Sequence, residues 1–118
     1  MVRVLLVDDQ VPYRRLLARL LRAGGFDVVA EAGTGHEALL LAAATAPELV
    51  LLDVLLPDLD GFEVARRLEV DPARPAVVLV SSRHREDFGE FTGLALVRGF
   101  IGKDELTVER LTELLAEG

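Results

Sequence analysis

An apolar run that stops at an acid occurs twice in this chain, and no other feature limits its fold as tightly. Val2 to Val7 stops at Asp8-Asp9, and Glu48-Leu49-Val50-Leu51-Leu52 stops at Asp53. Runs this short read as strands buried on both faces, the habit of parallel sheets covered by helices. In open α/β sheets ligands bind beyond the carboxyl ends of the strands, so the two acidic terminations are expected to meet in one crevice. Three carboxylates gathered there repel one another, cost stability and push some of their pKa values upward unless a cation balances them. Hard carboxylate oxygens suit Mg²⁺, and the crevice therefore reads as a site for a divalent ion.

The remaining sequence alternates strand-like and helix-like segments. After the first strand, Pro12 suits the first position of a helix that Gly24-Gly25 ends, with Leu16, Leu17, Leu20 and Leu21 as its expected buried stripe. Phe26 to Ala30 reads as a second strand, and Thr34-Gly35-His36-Glu37 is a capping-box pattern opening a helix that runs to about Thr45 before Pro47. Leu49 to Asp53 is the third strand. Asp60 is the expected cap of a third helix reaching about Val70, with Pro72 and Pro75 in the connection that follows. Ala76 to Ser81 and a short segment around Phe100-Ile101 complete the strands, and Leu106 to Ala116 has the apolar spacing of a final helix. The segment from Arg85 to Gly99 is expected to form a soft fourth helix, because Gly89 and Gly93 each cost about 1 kcal/mol relative to alanine. Five strand-helix units with right-handed crossovers give a doubly wound (βα)₅ α/β fold, flavodoxin-like, with helices on both faces and all strands ending at one edge. The strand order 2-1-3-4-5 is borrowed from known proteins of this architecture rather than derived.

Composition narrows the function classes. At 118 residues the chain is expected to be one domain, residues 1–118, with no room for a second core. A formal net charge of −7, with acids and bases spread throughout, argues against direct binding of nucleic acid or an anionic membrane by this segment. Cysteine is absent, which removes disulfides, thiolate metal sites and cysteine nucleophiles and is compatible with a reducing cytosol. No uncharged apolar stretch approaches the roughly 18 residues of a spanning helix, and no signal peptide is expected. Gly33-Thr34-Gly35 lacks the third glycine of a dinucleotide fingerprint, and no Gly-Lys-Ser/Thr sequence occurs, so nucleotide binding is disfavoured.

At the ends of the first, third, fourth and fifth strands stand Asp8 and Asp9, Asp53, Ser81 with Ser82, and Lys103. With Leu56-Pro57 and Asp60-Gly61 after Asp53, and Gly99-Phe100-Ile101-Gly102-Lys103 at the last strand, this set resembles the receiver (CheY-like) domain of bacterial two-component response regulators over the whole chain. The resemblance implies that Asp53 accepts a phosphoryl group from a phosphohistidine on a sensor histidine kinase or phosphotransfer protein. It implies Mg²⁺ as cofactor, ligated by Asp9, Asp53 and the backbone carbonyl of Leu55, with Asp8 acting largely through water. It implies further that Lys103 pairs with Asp53 at rest and with a phosphoryl oxygen afterwards, and that Ser81 donates its hydroxyl to another. Ser81 and Phe100 would form the switch, passing the signal to the surface of the fourth helix, fifth strand and fifth helix, where an output domain or a second copy would dock. Transcription regulation in the cytoplasm is the corresponding setting.

Taken singly, these residues have plainer readings. Adjacent aspartates after a strand are commonly a turn or a helix cap, paired serines a loop, an isolated lysine a solvated surface group and Phe100 a core aromatic. His36 and His84 have no partner at metal-ligand spacing and read as surface residues. Arg15, Arg19 and Arg22 share a helix face that is either solvated or fitted to an acidic partner surface. Departures from the family pattern are Leu55 and Arg83 flanking the phosphoryl position, where the bulky leucine is expected to restrict the attacking water and slow self-dephosphorylation, and Leu96-Val97 where Gly-Ala is frequent. Asp104 stands after Lys103 where many receivers carry proline, a pair that resembles receivers of the LuxR/NarL type. Two rival readings are an aspartyl-phosphate-forming phosphohydrolase, which would carry a second aspartate where Leu55 stands, and a degenerate receiver acting as a docking module.

Overall fold

Adjacent residues of the apolar runs serve different cores, which is why the runs show no polar alternation. In the computed structural model, which describes residues 1–83 and 93–117, Val4 and Leu6 pack with Leu49, Leu51, Val78 and Val80 on one face of a sheet. Leu5 and Val7 pack with Val50, Leu52, Val77 and Leu79 on the other. Two period-2 patterns are thus superimposed, each facing its own layer of helices.

The strands are β1 (Arg3–Val7), β2 (Asp27–Ala32), β3 (Leu49–Asp53), β4 (Ala76–Ser81) and β5 (Val97–Gly102). All pairings are parallel, and the order is β2-β1-β3-β4-β5. The borrowed order is therefore the observed one. Helices α1 (Val11–Ala23) and α4 (Val108–Glu117) cover the first face through Leu17, Ala18, Leu21, Leu111 and Leu114. Helices α2 (Gly35–Thr45) and α3 (Gly61–Leu68) cover the second through Ala38, Ala42, Val64, Ala65 and Leu68. The helix expected between Arg85 and Gly99 falls largely on residues 84–92, outside the described residues. So does His84.

Local signals explain the helix starts and stops. The Thr34 hydroxyl accepts the Glu37 N–H at 3.1 Å, and Glu37 reaches back to the Gly33 N–H at 2.7 Å, which satisfies donors the first turn leaves open. Asp60 accepts the Glu63 N–H at 2.8 Å at the start of α3. Thr107 does the same for Arg110 at 3.0 Å, so the last helix starts at Val108 and Leu106 lies ahead of it.

One expectation is corrected. Of the four leucines assigned to the buried stripe of α1, only Leu17 and Leu21 are buried, together with Ala18, while Leu16 and Leu20 are 54% and 52% exposed. Leu16 and Leu20 each lie about 100° around the helix from Leu17 and Leu21, on the side away from Ala18. The sheet selects the side that also carries Ala18, which is 1% exposed.

Candidate functional site at the carboxyl edge of the sheet

Strand parity brings the charged groups together. Asp53 continues the Leu49-Leu51 alternation and Asp8 continues Val4-Leu6, so both extend the face that α1 covers. The Asp8 N–H donates to the carbonyl of Ala32 at 2.9 Å, prolonging the β1-β2 pairing by one residue. Arg14, in the first turns of α1, donates from Nη1 to the Asp8 carbonyl at 2.9 Å and pairs through Nε with Glu31 at 3.0 Å. The Asp8 backbone is thereby fixed from two sides. Beyond β5, the Lys103 N–H donates to the Ser81 carbonyl at 2.8 Å, which holds the lysine at the same edge.

Asp8 and Asp53 are each only 5% exposed, and Lys103 lies between them. Its Nζ is 2.8 Å from Asp8 Oδ2 and 3.4 Å from Asp53 Oδ2. The resting contact expected with Asp53 is present, and the shorter one is to Asp8. Carboxylate oxygens of Asp8, Asp9 and Asp53 all fall within 4.8 Å of one another, with Asp9 exposed. Opposed ligands of Mg²⁺ stand about 4.2 Å apart, so the cluster needs only a small contraction to share one ion, and its all-oxygen donor set fits that metal. The ammonium already held by Asp8 would compete with such an ion for that carboxylate.

Burial pushes the Asp53 carboxyl above the usual carboxylate range; the Lys103 charge opposes that shift and the Asp8 charge adds to it. For Lys103 burial acts downward, but the hydrogen bond to Asp8 and the charges of Asp53 and Asp8 outweigh it and raise the ammonium's pKa. Asp53 also accepts the Leu55 N–H at 3.2 Å, which places Leu55 in the turn directly over the carboxylate with its side chain exposed. Gly61 makes that turn possible. A Cβ there would lie 2.6 Å from the Asp53 carbonyl oxygen, and the Gly61 N–H donates to the Val54 carbonyl at 2.7 Å.

Ser81 ends β4, opposite Gly102 and one residue beyond the Asp53–Val80 pair. It is 1% exposed, and its Oγ accepts the Arg83 N–H at 3.1 Å. Phe100 pairs with Leu79 in β5 and is partly buried against the α2–α3 side. Leu79, Ser81 and Phe100 therefore share a face of the sheet, opposite to the acids and lysine.

Besides Arg14, three contributors went unread in the sequence. Gln10 accepts from Lys103 Nζ at 3.2 Å, and the Tyr13 ring centroid lies 4.7 Å from that atom. The Tyr13 phenol is pushed up to about 12, chiefly by burial and then by the charges of Asp8 and Asp53, so it stays neutral. The third is Asp58, which receives the N–H groups of Gly35 at 2.7 Å, His36 at 2.9 Å and Leu59 at 2.8 Å, and meets His36 Nδ1 at 2.6 Å. It ties the turn after Asp53 to the start of α2. The His36 backbone hydrogen bond leads in holding the Asp58 carboxyl well below the usual range, with burial opposing and the Gly35, His36 side-chain and Leu59 contacts assisting. His36 is a surface residue as expected, yet one with a partner. Asp58 follows Leu56-Pro57, and a turn acid five residues beyond the third strand was the available signal.

Comparison with known proteins agrees with this geometry. The response regulator receiver domain family matches residues 4–116. The transcriptional regulatory protein PdtaR of Mycobacterium tuberculosis is 35% identical over 97% of this chain, which spans 60% of that relative. A protein-glutamate methylesterase/protein-glutamine glutaminase of Myxococcus xanthus is 39% identical over 98% of the chain, which spans 34% of it. Among solved structures, the signal receiver domain of the response regulator NarL from M. tuberculosis superposes with a TM-score of 0.82 at 31% identity, covering 99% of this chain and 97% of that one. Among the described residues no helix is long and apolar enough to cross a membrane. With its sheet order, its acidic edge and these likenesses, the chain belongs to the response regulator receiver domain family.

Proposed function

We propose that Asp53 is the phosphoacceptor of this receiver, loaded in a Mg²⁺-dependent reaction from a phosphohistidine of a sensor histidine kinase or phosphotransfer protein. The observation that carries the reading is the partly buried ammonium of Lys103 between Asp8 and Asp53, with Asp9 in reach of the same point. In the transfer the phosphohistidine N–P bond breaks, its electron pair returns to the imidazole, and a bond forms between an Asp53 carboxylate oxygen and phosphorus. A carboxylate is a weak nucleophile, so positioning and charge compensation supply most of the rate. Bound Mg²⁺ would supply positive charge to the phosphoryl oxygens, with Asp9, Asp53 and the Leu55 carbonyl as ligands and Asp8 acting through water. Lys103 neutralises Asp53 at rest and moves to a phosphoryl oxygen in the product.

Ser81 donates its hydroxyl to another phosphoryl oxygen, and its place on the Phe100 face supports a switch made of these two residues. The phosphoryl group shifts a pre-existing equilibrium of the surface that includes β5 and α4, the contact face for an output domain or a second copy. Residues 1–118 thus act as one cytoplasmic signalling module whose chemistry is confined to its own phosphotransfer and hydrolysis. The chain spans 60% of a transcriptional regulatory protein and 34% of a protein-glutamate methylesterase/protein-glutamine glutaminase, so the same receiver pattern occurs in proteins of different output. Labelling by acetyl phosphate tests the reading. One phosphoryl group per chain, dependent on Mg²⁺ and lost in Asp53→Asn, is expected; labelling that survives Asp53→Asn contradicts it.

A further inference from the structure

We propose that Tyr13 is a positioning residue for Lys103, its ring face holding the ammonium over Asp53 while the hydrogen-bond partners of that ammonium change. The inference rests on the phosphoacceptor reading above and adds Tyr13, a residue that reading does not use. Lys103 is fixed at its backbone by the Ser81 carbonyl, but its side chain is a flexible four-carbon stem. At the far end three oxygens face Nζ, from Asp8 at 2.8 Å, Gln10 at 3.2 Å and Asp53 at 3.4 Å. These match the three N–H donors of an ammonium, and the ring at 4.7 Å takes no donor of its own. A ring face attracts a cation without demanding a particular N–H direction. When a phosphoryl oxygen replaces the Asp53 carboxylate as partner, hydrogen bonds must be remade, whereas the pull of the ring persists. Tyr13 can serve this way because it is itself anchored, partly buried against the core of Leu6, Leu17, Leu51 and Val80 in the first turn of α1.

The experiment compares Tyr13→Leu, which removes the ring but keeps an apolar side chain, with Tyr13→Phe, which keeps the ring, in wild-type and Lys103→Met backgrounds. Phosphorylation is followed at saturating Mg²⁺ with varied acetyl phosphate, separating the maximal rate from the donor concentration that half-saturates it. In the wild-type background Tyr13→Leu is expected to lower the maximal rate about threefold to tenfold, the span a partly buried cation–π contact carries. Tyr13→Phe should recover most of that loss. In the Lys103→Met background Tyr13→Leu should change the rate less than about twofold, because the coupled partner is gone. Equal slowing in both backgrounds, or none in either, overturns the proposal. If Lys103→Met leaves too little rate to follow, the near-ultraviolet spectrum decides: the chain has one tyrosine and no tryptophan, so removing the cation must perturb the Tyr13 band, and an unchanged band refutes the contact. Failure of the wild type to label at all would sink the phosphoacceptor reading instead, which keeps the two failures distinct.

Discussion

Replacing Lys103 by methionine removes the ammonium held between two nearly buried carboxylates, with a third beside them. The ammonium has 11% of its side chain exposed and Asp8 and Asp53 have 7% each, so these pairs belong with buried ion pairs rather than surface ones. Removing one member of such a pair costs about 3–5 kcal/mol, and exposure of the neighbouring Asp9 favours the lower end, about 3 kcal/mol. For a chain of 118 residues the unfolding entropy is about 0.25 kcal/mol/K near 60 °C, so Tm should fall by about 12 °C without metal. Mg²⁺ should reverse much of that loss, because it restores positive charge at the same point and no longer competes with the ammonium for Asp8. Acid should reverse it too. The Asp53 pKa is already raised in the folded state, so its ionised form costs stability as pH rises through the folded pKa, and the cost disappears below the unfolded value of about 3.9. The assay is thermal unfolding of wild type and Lys103→Met at pH 7 and pH 4, with and without Mg²⁺. An equal Tm deficit under all four conditions would refute the reasoning, since a loss from packing alone ignores both the metal and the pH.

Further outcomes follow from neighbouring contacts. Asp58→Asn should lower Tm at pH 7, and the deficit should narrow as pH falls below about 4 toward the depressed folded pKa of Asp58, where the wild-type carboxyl itself begins to take up a proton; a deficit that widens in acid contradicts the role of the charge. Gly61→Ala should destabilise by about 1–3 kcal/mol in denaturant titrations and slow labelling, because its Cβ meets the Asp53 carbonyl oxygen, which is backbone and cannot swing aside. Wild-type phosphoprotein should lose its label slowly in Mg²⁺, since the leucine at position 55 restricts water over Asp53, and Leu55→Asn should shorten the half-life several-fold; equal decay of the two proteins would remove Leu55 from the hydrolysis step.

The fold was legible because β1, β3 and β4 are buried on both faces, so each appears as a near-continuous apolar run and ends visibly at a polar residue. Where the run contained a charge the reading stopped short: β2 continues through Glu31 to Ala32, with Glu31 paired to Arg14 and the Ala32 carbonyl paired to the Asp8 N–H. Neither partner lies near in sequence. Helix α3 stops at Leu68 rather than near Val70, because its last turn tightens, with Glu69 and Val70 donating to Arg66 and Arg67 three residues back. The acids, Ser81 and Lys103 could be placed at one edge because parallel strands end together. Their partners could not, since Gln10, Tyr13 and Arg14 act through side-chain reach from the first turns of α1, which periodicity does not encode. The Asp58–His36 contact was hidden for the same reason, two surface residues 22 positions apart being joined only when the turn after β3 folds over the start of α2.

The most direct measurement is the position of the phosphoryl bond. Borohydride reduction of protein phosphorylated with acetyl phosphate and Mg²⁺ converts an acyl phosphate to the corresponding alcohol, and peptide mass mapping then locates it. Homoserine at position 53 alone is predicted. A modification at Asp8 or Asp9, at Ser81, or nowhere in the chain would contradict the assignment of Asp53 as phosphoacceptor.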